Sequence, residues 1–258
     1  MNIRGNCKSR SAAIFAAREQ ANIHRAARIA ALRCEGFCNC LIRLRTLGMT
    51  AALSVMLVAG LQAQHNKPLY ENNFEKATPG PMPAEFLVLD GGFEIKAEED
   101  NKFIELPGAP LETFGVLFGP AEKENVRVSA RIFGTGKGRR FPTFGIGAGG
   151  QGGYRLQVAP AKKAVELYRG ESLKATIPFE WQPSKWTQLK LQVRKVKDGA
   201  WTAEGKVWMA GEKEPEKWTI NFDDTQEASN GKSAIWGSPF AGTPIRFDDL
   251  QVSKISQQ

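Results

Sequence analysis

The chain has 258 residues, 42% of them hydrophobic, with a formal charge of +8 and an isoelectric point near 9.4. That length and apolar content suffice for one substantial core. The charge alone would point to a nucleic-acid or anionic-membrane partner, but nine of the 35 basic residues and only two of the 27 acidic ones lie in residues 1–63, and the 26 and 25 that remain nearly cancel. A body of mixed sign excludes a phosphate-tracking groove and, with it, a nucleic-acid partner.

Residues 1–63 read as an N-terminal helical leader in two parts. Residues 1–40 are rich in Ala and Arg and are taken as a start-site artefact or a disordered segment, although SAAIFAAREQANIHRAARIAALR can also be drawn as an amphipathic targeting helix. In residues 43–63, Arg43 and Arg45 precede the uncharged run Leu47–Leu61 and then Gln-Ala-Gln. That is the layout of a signal peptide, with cleavage expected after Ala63. The run is shorter than the roughly 18–20 residues a membrane span needs. The expected location is therefore periplasmic or extracellular, with membrane contact only through an uncleaved leader. All four cysteines (Cys7, Cys34, Cys38 and Cys40) precede the apolar run. With His24 they lack the paired spacing of a zinc knuckle.

Beyond residue 64 the chain is a series of short strand-like runs. Leu69–Phe74 comes first, then a Pro/Gly-rich loop, then Phe86–Leu89, Phe93–Lys96, Lys102–Leu106 and Leu111–Phe118. Asn125–Phe133 alternates cleanly, with Val126, Val128, Ala130 and Ile132 on one face and Arg127, Ser129 and Arg131 on the other. Gly134–Arg140 is a basic glycine loop with no helix after it, so it reads as a connection, with Arg139 and Arg140 on its rim. Phe141–Ala148, Tyr154–Val158 and Ala164–Tyr168 follow. Trp186–Trp208 reads as a hairpin turning at Asp198-Gly199, because Gly accepts the positive φ of a primed turn. Trp218–Phe222, Ser233–Trp236 and Ile245–Val252 close the chain.

Regular short strands with Gly, Pro and Asp turns and no amphipathic helix predict an all-β fold. The expected architecture for residues 64–258 is a two-sheet antiparallel β-sandwich. The Trp-flanked hairpin, Gly153–Val158, Val165–Tyr168 and the terminal strand Ile245–Val252 with its Phe-Asp-Asp-Leu resemble the concanavalin A-like lectin/glucanase jelly roll. More narrowly they resemble secreted bacterial laminin-G-like and 3-keto-disaccharide hydrolase (family-16-like) domains. The resemblance implies a jelly roll whose sheet face receives glycans, in a family that mixes hydrolases and binding modules.

Retaining glucanases of that fold carry E-x-D-x-x-E, which sets two carboxylates about 5–5.5 Å apart, and the spacing is absent here. Beyond the leader the only histidine is His65, which excludes a Ser-His-Asp triad or a histidine metal centre for that part of the chain. No cofactor is expected. Calcium through oxygen ligands stays open, with Asp223 and Asp249 of the pairs Asp223-Asp224 and Asp248-Asp249 as candidates. In a regular strand the two aspartates of a pair face opposite ways.

If the central strands are neighbours in one sheet, Arg127, Arg131, Arg155, Gln157, Gln192, Arg194 and Trp208 share a polar face with Glu166, Tyr168 and Glu204. Guanidinium, amide and carboxylate groups beside an aromatic ring suit sugar hydroxyls; equally, such a face can be the solvated side of a half-buried sheet. Trp201 has core parity, and Trp236 begins a Gly/Pro loop that can line a site mouth. The first functional reading is a monomeric, exported glycan-recognition domain. Its alternatives are a glycoside-cleaving enzyme of the keto-sugar type, with Glu166 or Glu204 as acid/base, and an envelope structural or protein-interaction domain.

Overall fold

The computed structural model describes residues 67–108, 112–240 and 242–255. The helical leader, the signal peptide, its cleavage point and the four cysteines lie outside the described residues.

Sixteen strands follow one another: β1 (Tyr70–Asn72), β2 (Gly80–Pro81), β3 (Leu87–Asp90), β4 (Glu94–Glu98), β5 (Asn101–Leu106), β6 (Phe114–Glu122), β7 (Val126–Gly134) and β8 (Thr143–Ala148). Then come β9 (Tyr154–Ala159), β10 (Ala164–Arg169), β11 (Ser172–Pro178), β12 (Trp186–Lys197), β13 (Ala200–Met209), β14 (Ile220–Asp224), β15 (Gly231–Ser238) and β16 (Ile245–Lys254). A nine-stranded sheet runs β14-β13-β12-β7-β16-β5-β4-β2, with β1 also on β16; a seven-stranded sheet runs β11-β10-β9-β8-β15-β6-β3. The pairings are antiparallel. Among the described residues no helix is long and apolar enough to cross a membrane.

Period-two alternation builds the core. In β7, Val126, Val128, Ala130 and Ile132 are buried between half-buried Arg127, Ser129 and Arg131. Leu189, Leu191 and Val193 repeat this in β12, in register with β7. Ile146, Leu156, Val158, Val165 and Leu167 supply the facing layer from the seven-stranded sheet. Leu191 is 0% exposed at the centre of this stack, so Leu191→Ala is expected to cost about 2–5 kcal/mol. Trp201 joins the core at 6% exposure, as its parity requires.

The hairpin departs from a simple primed turn. Gly199 has φ +71° but Asp198 is not left-handed, and the register slips between Lys195 and Lys197. The bulge supplies the twist that a second left-handed residue would have given. Strand β11 escapes sequence reading because its edge position leaves no clean buried face.

Two polar faces, one paired and one open: the candidate functional site

The single polar stripe expected from the sequence is two stripes. Arg127 and Arg131 on β7, Gln192 and Arg194 on β12, and Glu204 and Trp208 on β13 lie on the outer face of the nine-stranded sheet. Arg155 and Gln157 on β9, with Glu166 and Tyr168 on β10, lie on the outer face of the seven-stranded sheet. Period two sorts side chains within a strand but does not say which strands are neighbours. Glu166 and Glu204 therefore stand on opposite outer faces of the sandwich and cannot act as a carboxylate pair.

On the nine-stranded sheet the polar groups answer one another. Arg127 donates to Gln192 Oε1 from Nε at 3.1 Å and Nη2 at 2.8 Å. Gln192 Nε2 donates to Glu204 Oε2 at 2.7 Å, and Arg194 Nε donates to the same oxygen at 2.8 Å. The residues border an open groove of about 880 Å³ that also reaches Trp218, but Arg127 and Lys206 already stand over that indole, at 5.9 and 4.7 Å. Trp208 faces outward, with Lys190 Nζ 5.6 Å from its ring. Lys190 and Lys206 both pair with Glu214.

The Phe-Asp-Asp-Leu strand breaks the parity expected of it. Asp249 adopts φ +49°, and a bulge carries the β16 register from Asp248 to Gln251. Both carboxylates thereby reach Arg131: Asp248 Oδ2 accepts from Nη2 at 2.6 Å, and Asp249 Oδ2 lies 2.9 Å from Nε, in a close charge contact without hydrogen-bond alignment. Asp248 is fully buried, and burial pushes its carboxyl up despite Arg131 and the Asp249 backbone N–H. Asp223 accepts from the Thr202 hydroxyl. Among the described residues no three His, Cys, Asp or Glu side chains gather as a metal site.

The adjoining Asp224, on edge strand β14, is a latch to β9 and β10 of the other sheet. It accepts from Tyr154 OH at 2.8 Å and from Arg169, which also donates to the carbonyls of Gln226 and Glu227. Burial acts to raise its carboxyl, but the Gln226 N–H, Tyr154 and Arg169 outweigh it and hold Asp224 below the usual carboxylate range.

The seven-stranded sheet is built differently at its centre. On β8, Phe144, Ile146 and Ala148 point inward, so Gly145 and Gly147 leave the outer face bare. On β6, Gly115 does the same opposite Trp236. The Trp236 indole, half-buried, fills the space vacated at Gly115 and Gly147: a Cβ at 115 would stand 2.8 Å from Cε3 and Cζ3, and one at 147 would stand 3.0 Å from Nε1, whereas one at 145 would meet the Leu156 carbonyl of β9. The ring thus lies across three strands at the height of a Cβ. Trp236 sits within β15, not at the head of a loop as its sequence context implies.

Arg155 stands beside it. Its guanidinium carbon is 4.9 Å from the Tyr168 ring centroid and 5.7 Å from that of Trp236. Its Nε is buried without an acceptor among the described residues. The strand arginines Arg131, Arg169, Arg194 and Arg246 each face a carboxylate, whereas Arg155 forms no ion pair among the described residues. A shallow cleft of about 210 Å³ is lined by Arg155, Gln157, Trp236, Thr113, Thr143 and Ser238, with Phe144 and Gly237 at its base. Glu166 borders this region but is fully engaged, accepting from Lys162 at 2.7 Å, Gln157 at 2.8 Å and Tyr168 at 3.2 Å. Burial acts to raise its carboxyl, yet these donors prevail and hold it below the usual range. Glu166 is thus an ionised anchor, poorly suited to give up a proton as a general acid.

Thr113, Thr143, Ser238 and the glycine floor were not singled out from sequence, although Phe-Gly-Ile-Gly-Ala, glycine at every outward position, is the signal that finds them. The basic loop holds a bridge between Lys137 and Arg140, and Arg140 lies over Phe240 at 5.4 Å and is not among the residues lining this cleft.

The two-sheet architecture is that of the concanavalin A-like jelly roll. The chain is similar to the carbohydrate recognition domain of Emp47p, with a TM-score of 0.50 and 10% identity over 76% of this chain and 100% of that one. It is similar also to the catalytic domain of a glycoside hydrolase family 131 protein from Coprinopsis cinerea, with a TM-score of 0.50 and 8% identity over 74% and 96%. At such identities the likeness is one of fold. No protein-family model and no curated protein matches the sequence.

Proposed function

We propose that this protein is an exported glycan-recognition domain, and that the glycan lies on the outer face of the seven-stranded sheet. The observation that carries the reading is Trp236 lying over Gly115 and Gly147 beside Arg155, whose buried Nε has no acceptor among the described residues. A flat indole gives a sugar ring an apolar face to stack on, and Arg155, Gln157, Thr143 and Ser238 surround it with hydrogen-bonding groups. Of the residues nominated from sequence, Arg155 and Gln157 belong to this site; Arg127, Arg131, Gln192, Arg194 and Trp208 belong to the opposite face. The carbohydrate recognition domain among the structural neighbours supports the ligand class, and the signal-peptide layout of residues 43–63 supports export.

Binding is favoured over cleavage. Glycoside hydrolysis needs two carboxylates about 5–10 Å apart across the bond, whereas Glu166 is locked by three donors and Glu204 lies on the other sheet. The test is calorimetric titration of the full chain with neutral and acidic polysaccharides, alongside reducing-end assays. Trp236→Ala should weaken binding about tenfold or more with little loss of stability. Release of sugar by wild type, lost in Glu166→Gln, would replace this reading with the enzymatic one.

A further inference from the structure

Resting on the glycan-binding reading of the same face, we infer that the ligand is an acidic sugar, a hexuronate whose carboxylate docks on Arg155 while its ring lies on Trp236. Three features converge. First, Arg155 is the only charged residue lining the cleft among the described residues, so the cleft presents an uncompensated positive charge. Glu166, the acid nearest in register, is already answered by Lys162, Gln157 and Tyr168 and does not offset it. A partly buried cation without a counter-charge is costly, and a ligand carboxylate removes that cost.

Second, Tyr168 and Trp236 hold the guanidinium between them, at 4.9 and 5.7 Å. An arginine fixed between rings presents its donors as a planar fork, which matches the two oxygens of a carboxylate better than a hydroxyl. Third, charge and platform are adjacent. A free inorganic anion would use the fork and waste the indole; a neutral sugar would use the indole and leave the fork empty. A uronate carries a planar anion on the ring that stacks. Thr143 and Ser238 remain for its hydroxyls.

The experiment titrates the full chain with polygalacturonate, polyglucuronate and alginate, each beside its carboxyl-reduced counterpart, with dextran sulfate as a sulfate-ester control. At least one uronate polymer should bind about tenfold or more tighter than its reduced form. Arg155→Gln should erase that difference while leaving the thermal midpoint within a few degrees. Arg155→Lys, which keeps the charge but not the fork, should lose most of the preference, and it serves if Arg155→Gln does not fold. Equal binding of reduced and carboxylated polymers, or a preference that survives Arg155→Gln, overturns the acidic-sugar inference and leaves glycan binding standing. Dextran sulfate binding as tightly as uronate, unchanged in Arg155→Gln, overturns it in favour of diffuse charge attraction. Failure to bind any polymer, acidic or neutral, overturns the glycan reading itself.

Discussion

The two outer faces of the sandwich start from similar residues and end in different states. On the nine-stranded sheet, Arg127, Gln192, Glu204 and Arg194 form an unbroken relay, and Arg131 is gripped by two aspartates. On the seven-stranded sheet the acid is satisfied, the arginine is not, and an indole lies on glycines instead of under a cation pair. Polar residues on a sheet face are therefore not informative by type. What separates a solvated, self-stabilising face from a receptive one is whether the donors and acceptors already match within the protein.

If pairing marks structure, the largest effect belongs to the most buried pair. Asp224→Asn leaves Arg169 without its counter-charge and should cost about 3–5 kcal/mol in denaturant unfolding. A cost under about 1 kcal/mol would show that pairing alone does not mark a structural role in this fold. The receptive half is tested next. Trp236→Ala should weaken glycan binding about tenfold or more. Gly147→Ala, whose Cβ would push on Nε1, should also weaken it with little change in unfolding midpoint.

The pH dependence of stability separates two paired aspartates, Asp224 facing inward between the sheets and Asp248 beside Arg131. Asp224 titrates lower in the folded state than in the unfolded one, so its contribution is full above the unfolded carboxylate range and is lost as pH falls through the folded value. Asp248 is shifted upward by burial, so its contribution has the opposite sign: it favours folding at low pH and weakens as pH rises through the folded value. Between about pH 2 and 6, Asp224→Asn should flatten the acid-side decline of stability and Asp248→Asn should steepen it, read from unfolding free energies at each pH. The smallest effect is Glu204→Gln. Its partner Arg194 is 38% exposed, so the cost should stay near or below about 1 kcal/mol, with glycan affinity unchanged. Loss of glycan binding in Glu204→Gln but not in Trp236→Ala would move the site to the other sheet.

Much of the fold was legible because burial imposes period two wherever a strand has one dry face. Asn125–Phe133 and the Trp186–Trp208 hairpin announce themselves in this way. Sheet membership was not legible, because β9 and β10 carry the same alternation as β7, β12 and β13, and only long-range pairing assigns them. The bulge at Asp249 was hidden too: an aspartate tolerates the left-handed region better than most residues but does not require it. Trp236 was visible as an aromatic but not as a platform. Its setting depends on what is missing at 115 and 147 on two neighbouring strands.

That setting has a kinetic and an entropic side. An indole seated over glycines has few rotamers left to lose, so a ligand stacking there as proposed would meet a surface ordered before it arrives. Recognition of this kind behaves as a fixed die. It rewards ligands that match its outline on arrival and yields little to those that would need it to bend.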